Sequence, residues 1–185
     1  PNEVRPDGGN DKIKILEDTD RDGKCDKVTV FADGLNIPTS LTFSKGGIIV
    51  AQAPHFLFLK DTDGDDKADV REVLLSGWGI RDTHAQPSNL RYGLDNKIWG
   101  AVGYSGYDDG KGNSFRSGVF RFNPDGTEVE FVGQFNNNTW GLGINTEGDV
   151  FGSTANNNPA FFCGIPAKLH GDEQRMSAKT IADTP

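Results

Sequence analysis

The sequence predicts an all-β protein, part of a β-propeller, and three observations carry that expectation. The first is an internal repeat. Lys12–Leu35 (KIKILEDTDRDGKCDKVTVFADGL) overlays His55–Trp78 (HFLFLKDTDGDDKADVREVLLSGW), so that Asp18 falls on Asp61 and Gly34 on Gly77, 43 residues on each time. The second is a unit that alternates with it, two short β-prone segments around a turn containing Gly or Asp-Asn. It recurs as SLTFSKGGIIVAQ from Ser40, NLRYGLDNKIWGAVG from Asn89 and GLGINTEGDVFGST from Gly141. The third is composition: 24 Gly and 12 Phe with a single Met, and 35% hydrophobic residues, suit turn-rich strands better than a helical bundle.

Taken in order, the first repeat unit predicts two strands joined by an Asp-rich loop. Two strands around a Gly turn follow from Ser40, then a second strand pair around an Asp loop. From Asn89 the order recurs, and GVFRFNPDGTEVEFVG supplies the closing pair with NPDG as its tight turn. Four strands in about 43–50 residues is the size of a propeller blade. The chain is therefore expected to open halfway through one blade and to hold two fuller blades, around Thr39–Gly79 and His84–Gly133. Another would start near Trp140. Roughly three to four blades over residues 1–166 fall short of the six or seven expected for closure. This predicts further blades of a parent protein on at least one side, because raw strand edges would otherwise be exposed. The polar segment 167–185 lacks two-residue alternation and is expected to be a connection.

The chain's formal charge is −8 and its sequence pI about 4.8, so no nucleic-acid footprint is evident. No apolar run approaches the ~20 residues of a membrane-spanning helix. PNEVRPDGGNDK carries neither an initiator Met nor a signal-peptide pattern and reads as a mature or internal start. Two cysteines, Cys25 and Cys163, are too few for a disulfide framework, and free thiols are the favoured expectation.

The Asp loops concentrate charge in the pattern D-x-D-x-D-x-x-x-D. Hard oxygen donors in that number suit Ca²⁺, whereas Mg²⁺ tends to keep its waters. The first site would use Asp18, Asp20, Asp22 and Asp26 with the Lys24 carbonyl, and Gly23 would make the sharp turn. The second would use Asp61, Asp63, Asp65 and Asp69 with the Lys67 carbonyl, with Asp66 at the turn position. EF-hand position twelve would fall on Thr29 and Glu72, but no helices flank either loop, so these read as calcium hairpins between strands. The plainer alternative is a solvated Asp-rich turn. Two loops in register at the repeat spacing favour two Ca²⁺ ions with a structural role.

GIRDTHAQPSNLRYG places His84 among Arg81, Asp82, Gln86, Asn89 and Arg91, a density of polar groups expected on a loop opening onto a propeller face. His84 would act as general base oriented by Asp82; the alternative is a loop histidine bonded to backbone. QFNNNTWGLG and STANNNPAFF carry two Asn triplets, Asn136–Asn138 and Asn156–Asn158, which also read as turns. Trp140 adds an aromatic platform for a sugar or planar cofactor. GYSGYDDGKGNSF (Gly103–Phe115) reads as a long, mobile insertion at a binding face. No P-loop, Ser-His-Asp order, zinc cluster or haem-attachment motif occurs.

ILEDTDRDGKCDKVTVFADGLNIPTS, VAQAPHFLFLKDTDGDDKADV, SGWGIRDTHAQPSNLRYGLDNKIWG and NNNTWGLG resemble the propeller region of large secreted planctomycete-type proteins labelled membrane-bound dehydrogenase or sorbosone-dehydrogenase-like. That resemblance covers nearly the whole chain. It implies a bacterial, periplasmic or extracellular location, and a c-type haem domain in the parent protein as electron acceptor. More distantly the region is similar to soluble quinoprotein sugar dehydrogenases, six-bladed propellers that bind pyrroloquinoline quinone and Ca²⁺. Their catalytic His precedes L-x-x-G-P-D-G-x-(I/L)-(Y/W), and HAQPSNLRYGLDNKIWG matches through His84. The interval to Leu90 is one residue longer, and Leu94-Asp95-Asn96 replaces Pro-Asp-Gly. Their R-N-x-x-G-L matches NNTWGL, with Asn138 at the Asn and Asn137 where Arg stands in the family. Arg81, Asn137, Asn138 and Trp140 are thus the positions expected to meet a quinone. The resemblance implies oxidation of a sugar or related alcohol, His84 taking the hydroxyl proton. The other expectation is a non-catalytic, calcium-stabilised propeller that binds carbohydrate or protein.

Overall fold

Antiparallel strands joined by short turns build every sheet of the computed structural model, which describes residues 8–135, 138–155 and 160–163. Strands β1 (Asp11–Glu17) and β2 (Lys27–Leu35) pair around the first Asp loop. Strands β3 (Ser40–Ser44), β4 (Gly47–Gln52), β5 (His55–Lys60) and β6 (Val70–Ser76) form a four-stranded sheet in chain order, with the second Asp loop between its last two strands. The next sheet begins with β7 (Ser88–Tyr92) and β8 (Ile98–Val102). A small hairpin, β9 (Tyr107–Asp108) and β10 (Ser114–Phe115), intervenes before β11 (Gly118–Phe122) and β12 (Glu130–Gln134) complete that sheet. Strands β13 (Thr139–Ile144), β14 (Val150–Thr154) and β15 (Phe161–Cys163) form the last sheet. Two, four, four and three strands are the expected half blade, two whole blades and the start of another. The described residues form part of a β-propeller.

The middle strands show why GIIVAQ and IWGAV are almost continuously apolar: both faces of these two sheets are covered by the sheets beside them. Ile48 and Val50 point with Leu57 and Leu59 toward Leu35 of the first sheet. Ile49 and Ala51 point the other way, into a cluster with Leu90, Ile98, Val102, Phe120 and Phe122. Trp99, Ala101 and Val119 repeat the alternation against Leu142, Val150 and Phe161. Burying both sides removes the polar face that a solvent-facing antiparallel sheet would show.

First strands lie side by side, β3 against β7 and β7 against β13. Thr39 Oγ1 donates to the Pro87 carbonyl (2.5 Å), Leu90 N to Ser40 Oγ (2.9 Å), and Ser44 Oγ lies 3.2 Å from Tyr92 Oη. These bonds join start to start and end to end, so β3 and β7 run in the same direction. Each blade's first and third turns consequently lie at one end of the strands. Its second turn and the crossover to the next blade lie at the other. Both Asp loops are third turns; the His84 segment is a crossover.

One expectation is corrected. The segment from Gly103 to Phe115 is not a long mobile insertion but a packed hairpin. Tyr107 is 7% exposed, its ring centroid lies 4.8 Å from Trp78 and 5.1 Å from Phe115, and Trp78 and Tyr107 form a β-bridge. Tyr107 and Phe115 of this segment pack on the core. Among the described residues the only helical turn is Thr83–Ala85, and no helix is long and apolar enough to cross a membrane.

Candidate functional site

Trp78 anchors the crossover between the two full blades. It is 2% exposed, with ring centroids 4.7 Å from Phe56 and 4.4 Å from Phe120. The chain then passes so close to the inserted hairpin that a Cβ at Gly79 would sit 1.9 Å from the Ser105 carbonyl oxygen. Asp82 follows in extended conformation and caps the Thr83–Ala85 turn, its Oδ1 accepting from the His84 backbone N–H at 2.8 Å. Capping residues favour this arrangement because the first N–H groups of a turn lack internal partners.

Asp82 is also held from behind. Tyr104 Oη donates to its Oδ2 at 3.0 Å, and Ser105 Oγ donates to its carbonyl at 2.8 Å. The His84 N–H and then the Tyr104 hydroxyl keep the Asp82 carboxyl below its ordinary range, while Asp82 pushes the Tyr104 phenol up. A fixed anion therefore stands 3.3 Å from His84 Nδ1. In the tautomer donating from Nδ1 to Asp82, Nε2 holds the free lone pair. The His84 side chain itself is 80% exposed.

Asn138 supports the same turn from the next crossover. Its Nδ2 donates to the His84 carbonyl at 2.9 Å; the residue is 5% exposed, and its Oδ1 has no partner among the described residues. Gly103 makes room for it, since a Cβ there would lie 1.8 Å from that oxygen. Trp140 is 38% exposed, and its carbonyl accepts from the Asn89 amide. Arg81 lines a cavity of about 660 Å³ together with Tyr104, Phe115, Arg116, Phe131 and Gln134. Asn137 and the second Asn triplet lie outside the described residues. The structure thus brings Asp82, His84 and Asn138 together, turns Asn138 inward, and leaves Arg81 beside the dyad in a separate recess. Tyr104, Ser105 and Arg116 were not singled out from sequence. Tyr104 and Ser105 fall in the stretch marked only as a binding face and Arg116 lies just beyond it, because contacts across about twenty residues leave no periodic signal.

At the far end of the strands, one carboxylate oxygen each from Asp18, Asp20 and Asp22 lie within 4.8 Å of one another, as do those of Asp61, Asp63 and Asp65. Backbone N–H groups of Gly64, Asp66 and Asp63 keep the Asp61 carboxyl below its usual range. Asp26 and Asp69 turn elsewhere: each closes its loop on a threonine, Thr19 Oγ1 and Thr62 Oγ1 donating at 2.6 Å. The ammonium groups of Lys24 and Lys67 reach back to Asp22 (3.7 Å) and Asp65 (3.0 Å). The corresponding turn of the following blade needs no such cluster; in NPDG, Thr127 Oγ1 donates to Asp125 Oδ1 at 2.6 Å. Both thiols are free, Cys25 exposed and Cys163 pushed up to about 11 by burial.

A family model described as a domain of unknown function (DUF7133) matches residues 1–184. The chain belongs to this family. No curated protein matches the DUF7133 chain. A crystal structure described as "putative gluconolactonase" is similar at 14% identity and a TM-score of 0.52, covering 83% of this chain and 52% of that one. The DUF7133 chain therefore spans about half the length of that structure, and the likeness shows the propeller fold alone.

Proposed function

We propose that the His84 face belongs to a secreted, dehydrogenase-like propeller that oxidises a sugar or related alcohol. The observation that supports this reading is the Asp82–His84 pair, braced by Tyr104 beside a cavity of about 660 Å³. His84 Nε2 takes the hydroxyl proton as hydride leaves the adjacent carbon, and Asp82 stabilises the imidazolium that results. Pyrroloquinoline quinone, when bound, would supply the hydride acceptor, with a c-type haem domain of the parent protein taking the electrons onward. Among the described residues Trp140 is the position open to such a group, because Asn138 donates to the His84 carbonyl and Arg81 lines the separate recess. Ca²⁺ in the two Asp loops would serve as scaffolding.

The test is dye-linked oxidation of a sugar panel by the full-length protein reconstituted with quinone and Ca²⁺. Turnover should fall by about 10²–10⁴-fold in His84→Ala. Turnover that survives this change, or none with any sugar, would sink the reading. The exposure of the His84 ring favours a second reading, a carbohydrate-binding propeller without chemistry, because catalytic groups usually work where water is excluded. Sugar binding without oxidation would favour that alternative.

A further inference from the structure

We infer that the cavity beside the dyad takes a carbohydrate bearing a carboxylate, a uronic acid, held by Arg81 and Arg116. The chain carries eight more formal negative than positive charges, yet two arginines line this one recess. Neither forms an ion pair among the described residues. Arg116 has a single long bond, from an Nη to the Tyr104 carbonyl at 3.5 Å. Arg121 shows what a structural arginine of this fold looks like: it is tied to Glu130 (2.7 Å) and Asp95 (2.9 Å) and lies over Trp99. Among the described residues Asp108 is the one carboxylate along the cavity wall, and its Oδ1 accepts from the Gly110 N–H.

The rest of the lining suits a sugar ring. Phe115, which stacks on both Tyr107 (5.1 Å) and Phe131 (4.9 Å), lines the recess with Phe131 as apolar ring carbon, while Gln134 offers an amide for hydroxyls. A volume of about 660 Å³ is in the range of small-molecule sites. Arginine forks pair with carboxylate in two parallel hydrogen bonds and also accept phosphate, so the anion alone does not decide the ligand. Apolar ring carbon beside the arginines favours an anion carried on a sugar ring over a bare phosphate. Tyr104 joins the recess to the site above, since it lines the cavity while its hydroxyl braces Asp82.

This inference deepens the carbohydrate reading and rests on it for the ring; the requirement for an anion rests on the two arginines. Its test is calorimetric titration of the full-length protein with glucuronate, glucose and inorganic phosphate, without any need for turnover. Glucuronate should bind at least ~10-fold more tightly than glucose. Arg116→Gln and Arg81→Gln should each remove most of that preference, and Arg116→Lys should restore part of it. The titration needs no turnover, so turnover lost in His84→Ala bears on the oxidation reading and not on this one. Equal affinity for glucose and glucuronate would overturn the inference. So would phosphate competing as tightly as glucuronate, or quinone displacing glucuronate, which would give the arginines to the cofactor.

Discussion

Arg21 and Asp66 both sit in left-handed backbone, each at φ 64°. They occupy the fourth position of the first Asp loop and the sixth of the second, and each has a glycine as its counterpart in the other loop. Gly23 and Gly64 adopt φ 87° and 85°. Both loops thus need two left-handed residues, and each supplies one glycine. A side chain in this region costs about 1–2 kcal/mol, while glycine gives back about 0.5–1 in backbone entropy. Arg21→Gly should therefore stabilise the fold by up to about 1 kcal/mol in urea melts. Asp66→Gly should gain less, because Asp tolerates the left-handed region. A loss of stability in Arg21→Gly would show that the arginine makes a compensating contact. The sixth-position turn was legible from sequence; the fourth was masked by Arg21 in one copy. Spacing placed Asp26 and Asp69 among the ligands, and it does not separate a ligand from the loop-closing acceptor each forms with a threonine, since both require a carboxylate there.

The strands were legible because glycine turns and Asp loops punctuate them at a fixed period, and the pairing order within each blade followed from that punctuation. What the period does not encode is how facing side chains share volume. In the first full blade Val50 stands opposite Leu57. In the next two sheets the same pairing becomes Gly100 opposite Phe120 and Gly152 opposite Phe161. A Cβ added at Gly100 would meet the Phe120 ring at 2.4 Å, and one at Gly152 would meet the Phe161 ring at 2.2 Å. The pairs trade a medium–medium fit for a small–large one, as dense cores do. Gly100→Ala should overpack this site and cost about 1–3 kcal/mol. Adding Phe120→Leu frees the space, so the double variant should be more stable than the two single losses predict. Strict additivity in that cycle would mean the clash relaxes by backbone movement instead.

Across the whole molecule, the division between the two ends of the strands has a measurable consequence. The Asp loops close third turns and His84 sits on a crossover, separated by strands of five to seven residues, about 17–23 Å. The blade count and this placement follow from the repeat, but the cavity between crossover and hairpin does not, because it depends on contacts between blades. If Ca²⁺ fills each trio of carboxylates, it binds the folded form and stabilises it by mass action. At a hundredfold excess over its Kd, one occupied loop should raise Tm by about 5–10 °C. Chelation of the full-length protein should remove that gain, and Ca²⁺ should restore it better than Mg²⁺. Asp20→Ala and Asp63→Ala should each remove part of the response, because each deletes one of three converging carboxylates. Asp125→Ala, in the turn that holds its own carboxylate through Thr127, should melt earlier without changing the response to chelator. His84-dependent turnover in Asp20→Ala should persist below its lowered Tm. A melting point indifferent to chelator would reduce the loops to plain turns, and turnover lost in Asp20→Ala with the fold intact would place the ion in the chemistry.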